Sequence, residues 1–365
     1  MSLAWPRAVI PETRKTPNPS RPKKLRTRAK RKQLRAKKSS EQAPSEKESK
    51  DDSTESNPEA TDDKEADSST EKDGFVLTDM RGREVSIPGD PQRFVCIGPG
   101  CLRLYCYVGD KAQLVGVEEA EKSWGEVGRT YRLAIDNIDD YPSIGPGGPG
   151  NAPDAEMLFN AEADVIFTCY DMELAKIDEL QGKINTPIVA LSYGEASLFS
   201  EEVDESLRLI GKVTGRSGRA EEVVKYLTDA KADLEARSAD VKDRPGVYLG
   251  CMSNRGSHGI ESTTGDYPMF DALKAENVVA KAGIHEYVLF DKEKLLDMDP
   301  EVIVIDAGGL TILQDDYAAN PDFYNSLSAV KNGKLYLQMP FNFYSTNIDI
   351  ALADAYYIGT VLYPE

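Results

Sequence analysis

Glycines and small polar residues gather where the apolar runs of this chain stop, and their types suit holding a small molecule. Gly98-Pro99-Gly100-Cys101-Leu102-Arg103 follows the run "RFVCIG" and opens a helical pattern. Backbone amides of Gly98 and Gly100 at such a helix start can receive an anion, with Arg103 nearby. The same glycines serve a tight strand-to-helix turn equally well. Ser143–Pro153 holds four glycines and three prolines. That composition lets backbone approach a ligand closely, which makes Gly147 and Asn151 candidate contacts. Tyr170 with Asp171, and Tyr193 between Ser192 and Gly194, end two further apolar runs. Each tyrosine fits a ligand contact or the edge of a core. Downstream, "CMSNRGSHGIESTTGDY" offers Asn254, Arg255, Ser257, His258, Ser262 and Thr263 around flexible glycine. Asp306 and two glycines end another run, and "MPFNFYSTN" supplies Asn342, Phe343, Tyr344 and Ser345. An aromatic and amide mixture of that kind suits a planar or chelated ligand, and also suits a core edge before a helix.

Metal held directly by side chains is poorly supported. Zinc or manganese sites draw on several histidines with carboxylates, and the chain has only His258 and His285. A metal is therefore expected inside an organic chelate (a ferric siderophore, haem or a corrinoid), the alternative ligand being an oxyanion such as molybdate or tungstate. No cofactor is expected. Catalysis is expected to be absent too: no G-x-G-x-x-G follows the first strand, and there is no G-K-[ST] loop and no G-x-S-x-G elbow. The five cysteines, Cys96, Cys101, Cys106, Cys169 and Cys251, form no C-x-x-C pair and read as buried free thiols.

The elements that position these loops alternate. Phe75–Leu77 and Arg83–Ile87 predict a hairpin around "MRGR", and buried strands are expected at Arg93–Gly98, Gln113–Glu119, Asp164–Tyr170 and Pro187–Ser192. Helices are expected between them, so a parallel sheet with covered faces is the default. From Glu201 to Asp240 only helical periodicity remains. Val223, Val224, Leu227, Ala230 and Leu234 make one apolar face too long for an ordinary crossover. After Pro245 the alternation returns, and the chain closes on an apolar helix. The expected architecture is α/β, with two lobes at about 74–200 and 245–365 and a helical segment, 201–244, joining them.

Charge divides the chain further. Residues 1–38 carry a net charge of +13 and residues 41–73 of −9, leaving −22 on residues 74–365. The two leading segments lack the apolar residues that offset ordering entropy, so 1–73 is expected to be disordered. An acidic body repels a phosphate backbone, so no nucleic acid is expected there. The basic arm, taken alone, reads as a polyanion binder. No run of 18 apolar residues exists to span a membrane.

"DMRGREVSIPGDPQRFVCIGP", "NAPDAEMLFNAEADVIF", "LIGKVTGRSGRAEEVV", "DMDPEVIVID" and "GKLYLQM" occur in an order that resembles the substrate-binding proteins of ABC importers for iron complexes and cobalamin. The likeness covers residues 75–365. It implies two Rossmann-like lobes bridged by one rigid helix, with the ligand in the cleft between them and small closure on binding. It implies a monomeric extracytoplasmic partner of an ABC permease and its ATPase, with no catalytic role. It also implies docking through one acidic residue per lobe: Glu156 in the first, with Asp266 and Asp271 flanking the matching position, Pro268, in the second. Residues 39–73 resemble the tether that follows a lipidated cysteine, so a lipid anchor is expected. Residues 1–38, where a signal peptide would stand, are expected to come from a misassigned start or a shifted reading frame.

Overall fold

A computed structural model of the chain describes residues 74–195 and 197–364. The basic arm, the acidic tether and the anchor expected before them lie outside the described residues.

The hairpin forms as expected from β1 (Phe75–Thr78) and β2 (Glu84–Ile87), with Leu77 opposite Val85. Asp79 shapes its turn, the carboxylate accepting from the amides of Arg81 and Arg83 at 2.9 and 3.0 Å. A parallel sheet follows: β3 (Phe94–Ile97), β4 (Leu114–Gly116), β5 (Val165–Thr168) and β6 (Ile188–Ala190), in spatial order β4-β3-β5-β6. All eight residues of β3 and β5 are buried, so these two strands are apolar on both faces. A second parallel sheet is built from β7 (Gly246–Gly250), β9 (Glu276–Asn277), β11 (Val302–Asp306) and β12 (Leu335–Gln338), in order β12-β11-β7-β9. Between β7 and β9 comes β8 (Ser262–Thr264), which pairs antiparallel with β10 (Tyr287–Leu289).

The two sheets share one topology. In each, the second strand lies on one side of the first and the third on the other, so the chain reverses direction between β3 and β5 and again between β7 and β11. Crevices at the carboxyl ends of such strand pairs are where open α/β sheets receive ligands.

Helices cover both sheets. On the first lie α1 (Cys101–Val108), the short α2 (Glu119–Ser123) and α3 (Thr130–Leu133), then α4 (Ala155–Asn160) and α5 (Leu174–Ile184). Two helices occupy the stretch between the sheets, α6 (Glu201–Val213) and α7 (Ser217–Ser238). The Ser200 hydroxyl caps α6 by accepting from the Val203 amide at 3.2 Å, and three acids sit in its first turn. Of the predicted apolar face of α7, Val224, Leu227, Ala230 and Leu234 are buried, with Val223 packed partly against the same core. The 22 residues of α7 span about 33 Å. This helix packs on α1, on α8 (Pro268–Ala272) and on the C-terminal helix, Ile348–Leu362.

Two expectations change. Ser262 and Thr263, read as loop donors, are strand residues with no exposed surface. Ser and Thr run there as "STT", a β-branched pattern that the neighbouring glycines disguise as loop. The stretch 310–331 holds three helices between β11 and β12, at Leu310–Ala319, Pro321–Ser326 and Ser328–Lys331, and the last of them takes the place of a turn expected just before β12.

Candidate ligand-binding cleft

The loops after β3 and β5 meet at the first reversal point. Gly98 has φ +90°, and a Cβ there would stand 2.6 Å from the Tyr170 amide nitrogen, so only glycine permits the approach. At Gly100, φ +76°, an added Cβ would stand 2.4 Å from the Tyr193 hydroxyl, so glycine is required there too.

The centre of this floor is Glu118, a residue the sequence reading did not single out. Its carboxylate is almost fully buried. Oε1 accepts from the Gly98 amide at 3.1 Å and the Tyr170 hydroxyl at 2.8 Å, and Oε2 accepts from the Tyr344 hydroxyl at 2.8 Å. Gly148 donates its amide to that Tyr344 oxygen at 3.0 Å. Burial raises the Glu118 carboxyl above its ordinary range, while the tyrosine and amide donors pull it back. The Gly98 amide expected to greet an anion is thus filled by the protein's own carboxylate. The signal in the sequence was slight: "VEEAE" reads as a helix start, and position 118 is the N-cap of α2.

Arg103 turns inward, away from the role expected for it beside the Gly98 and Gly100 amides. Its guanidinium is fully buried and gives every N–H to protein. Nε donates to Asn347 Oδ1 at 2.8 Å, Nη1 to the Tyr193 hydroxyl at 3.1 Å and the Thr346 carbonyl at 2.9 Å, and Nη2 to the carbonyls of Phe343 at 2.9 Å and Tyr344 at 3.2 Å. The plane lies 4.9 Å from the Tyr131 ring centre. A residue of α1 therefore fastens the segment that follows β12, and Tyr107 strengthens the joint with a 2.8 Å bond to Asp349. Tyr193 is likewise consumed, donating to the Gly100 carbonyl at 2.9 Å. A second buried cation, Arg129, pairs with Glu121 at 2.8 Å.

At the second reversal point, between β7 and β11, buried Asp306 accepts from the amides of Ser253 at 3.0 Å and Gly308 at 2.8 Å. Asn342 reaches the Ser253 carbonyl at 2.8 Å. His258 is half-buried and its Nε2 meets the Asn254 carbonyl at 2.8 Å. Arg255 is exposed at φ +54°. Ser262 donates to the Met252 carbonyl at 2.6 Å. The buried Thr263 hydroxyl has no protein partner.

Segment Phe341–Thr346 belongs to both sides. Tyr344 reaches Glu118, while Phe341 and Asn342 face a recess of about 390 Å³ with Leu198, Met252 and Tyr267. Trp124 stands edge-on to Phe343 and Tyr344, at ring distances of 5.6 and 5.0 Å. Of the predicted loop residues, Tyr170, Tyr344, Gly98 and the loop of Gly147 and Gly148 are brought together. Asn151 is exposed and bonds the Gly147 carbonyl at 2.5 Å.

The acidic candidates lie outside the floor. Glu156 is exposed in the first turn of α4, beside exposed Met157 and Phe159, and Asp154 caps that helix through the Met157 amide at 2.9 Å. Asp266 is exposed and meets His285 at 2.8 Å, and Asp271 is exposed in the first turn of α8. Among the described residues, no group of His, Cys, Asp or Glu is arranged to hold a metal ion, and no helix is long and apolar enough to cross a membrane.

The pattern of the periplasmic binding protein family matches residues 95–340, from β3 to just past the end of β12. The chain belongs to that family. A curated relative, the Fe(3+)-citrate-binding protein YfmC of Bacillus subtilis, is 25% identical over 272 residues, covering 73% of this chain and 79% of its own. Among solved structures, a periplasmic solute binding protein of Veillonella parvula superimposes with a TM-score of 0.63 at 18% identity, over 80% of this chain and 86% of that one. The molybdate-bound protein MolA of Haemophilus influenzae gives 0.61 at 21% identity, over 80% and 91%. The family and this architecture place the chain among the solute-binding components of ABC importers, and a second relative from Bacillus subtilis, YvrC, 20% identical over 276 residues, is named as an ABC transporter substrate-binding lipoprotein.

Proposed function

We propose that this binding protein captures a compact, uncharged or cationic metal chelate of the ferric siderophore class outside the cytoplasmic membrane and hands it to its permease. The lobes that hold it are 74–200 and 245–365. The observation that carries the reading is the buried Glu118 carboxylate at the cleft floor. It takes up Gly98 N–H and two tyrosine hydroxyls, while Arg103 and Arg129 are bound within the protein. A bare oxyanion beside Glu118 would meet a carboxylate, and like charges in a poorly hydrated site repel. The recess beside Phe341 and Asn342, about 390 Å³ and lined also by Asp266 and Asp271, is at the small end of ordinary ligand pockets and favours a compact chelate over a corrinoid. Glu156 in the first lobe and Asp266 or Asp271 in the second supply exposed carboxylates for docking on basic permease pockets.

Calorimetric titration of the full chain with an uncharged ferric trihydroxamate, ferric citrate, haemin, cyanocobalamin and molybdate tests the reading. The trihydroxamate is expected to bind tightest. It should quench Trp124, read in a Trp5→Phe chain where Trp124 is the single tryptophan. Glu118→Gln should narrow the gap between uncharged and anionic ligands by about tenfold or more, a change of about 1.4 kcal/mol. Molybdate binding tightest in the unaltered chain would overturn it.

A further inference from the structure

Glu118 is a buried carboxylate without a cation of its own. Its partners are the Gly98 amide and the hydroxyls of Tyr170 and Tyr344, all neutral donors. Arg103 is spent on Tyr193 and the 343–347 segment, and Arg129 pairs with Glu121. A charge held inside protein is ordinarily matched by an opposite charge or by a metal, and here the match is left to what enters the cleft. The side-chain atoms offered to it are oxygens. Tyr170 brings its oxygen to Oε1 and Tyr344 to Oε2, each at 2.8 Å, so a phenol from each lobe flanks the one carboxylate. Adjacent oxygens around an octahedral hard cation stand about 2.9 Å apart, given metal–oxygen bonds of about 2.0–2.1 Å. The oxygens are thus already at the spacing of an octahedron edge. Tyr170 is partly exposed, which gives solvent access to the set, whereas Glu118 and Tyr344 are buried.

We propose that Glu118, Tyr170 and Tyr344 form a direct site for a hard trivalent cation of the ferric class, bound through one carboxylate and two phenolate oxygens. The two protons that lie between these oxygens pass to solvent as the metal enters, because the cation's charge lowers the proton affinity of the phenols. One carboxylate and two phenolates carry three negative charges, which a trivalent ion neutralises and a divalent ion does not. In a buried site that balance decides between them. A donor set of oxygen without nitrogen or sulfur also selects hard ions over zinc. No histidine and no second carboxylate enter the set, so no metal signature shows in the sequence. The inference goes beyond the chelate reading and does not depend on it. A ferric ion fully wrapped by its chelator leaves the three side chains bonded to one another, whereas one held loosely engages them.

Full-length protein, freed of metal and titrated with ferric nitrilotriacetate, provides the test. The expected product keeps one ferric ion per chain through gel filtration and shows a visible phenolate-to-iron charge-transfer band. Resonance Raman excited in that band should show tyrosinate ring modes in the unaltered chain, a reading that needs no variant. Gallium(III) should displace the iron and abolish the band, and zinc and magnesium should not. Tyr170→Phe and Tyr344→Phe keep both rings and remove one oxygen each. Either should weaken the band and the retention of iron, and the double variant should lose the band. Residues 1–73 contain no tyrosine, so iron on the acidic tether carries no such band. Absence of the band, its survival in the double variant, or equal displacement by zinc would overturn the proposal. Tight binding of the ferric trihydroxamate by a chain that shows no band would overturn this site and keep the chelate reading, and the band without trihydroxamate binding would do the reverse.

Discussion

The two lobes place a buried carboxylate at the same topological point and satisfy it by different means. In the first, Glu118 takes one backbone amide and two tyrosine hydroxyls, one of them Tyr344 from beyond β12. In the second, Asp306 takes two amides of its own lobe, Ser253 and Gly308. Asp306 therefore only shapes loops, whereas Glu118 also couples one lobe to the other. Hydroxyl partners can be traded for a ligand by a side-chain rotation, and amide partners cannot without moving backbone. The binding reading therefore expects the first lobe to be the ligand-responsive half of the cleft, with Tyr344 as the second lobe's contribution to it.

Arg103 offers the strongest way to break this asymmetry. Arg103→Leu removes a guanidinium with five hydrogen bonds and strands buried acceptors on Asn347, Tyr193 and the carbonyls of 343, 344 and 346. Losing one side of such a buried charged network costs about 3–5 kcal/mol. Urea unfolding should show that loss, together with weaker ligand binding, because Tyr344 loses its anchorage. A change under 1 kcal/mol would mean that the lobes are joined chiefly elsewhere, through α7 and the Tyr344–Glu118 and Tyr107–Asp349 bonds.

A smaller effect separates the carboxylates of the second lobe. Asp354, on the C-terminal helix, accepts the Met339 amide on Oδ1 at 3.0 Å, but its buried Oδ2 has no protein partner. Burial pushes its carboxyl up to about 7, with the charge of Asp306 adding to the rise. Tyr267 and Tyr357, whose own hydroxyls feel Asp354, stay protonated in this range. The folded value exceeds the unfolded one, near 4, so the folded state holds the extra proton. The stability from Asp354 is fully present below about pH 4 and is lost as pH rises to about 7. Asp354→Asn should therefore unfold at the same temperature as the unaltered chain at pH 4, with an advantage that grows up to pH 7 and then stays constant. A pH-independent difference would show that Asp354 is not the titrating group.

The sheets were legible because their strands are apolar on both faces and bounded by glycine or proline. Tyr170, Gly98 and Tyr344 could be singled out for the same reason, since strand ends are where crevices form. The burial of Arg103 was not legible because a cation after a glycine turn looks the same whether it faces solvent or five buried acceptors. Its partners lie some 240 residues away in sequence, and no local pattern reports them. Glu118 was missed because an acid at a helix start already has a sufficient local reason to be there. What raises it above that reason is the arrival of Tyr170 and Tyr344 from distant loops. Ser262 and Thr263 were read as loop because glycines flank a strand of three residues.

The mildest substitution compares the two lobes on their outer surfaces. Glu156 lies in the first turn of α4 and Asp271 in the first turn of α8, each exposed and each favourable to its helix start. If helix stabilisation were the whole role of Glu156, Glu156→Ala would shift unfolding by a few tenths of a kcal/mol and change nothing else. The docking reading expects that small shift, unchanged ligand affinity, and a clear fall in ligand-dependent ATPase stimulation by the reconstituted permease. The exposed neighbours Met157 and Phe159 give that face an apolar rim which a solvated helix would not need, and which a permease surface would cover. Parallel loss of ligand affinity and ATPase stimulation would place Glu156 in the binding machinery instead. Unchanged stimulation would leave it a helix-start residue, with Asp266 and Asp271 as the remaining acids to carry docking.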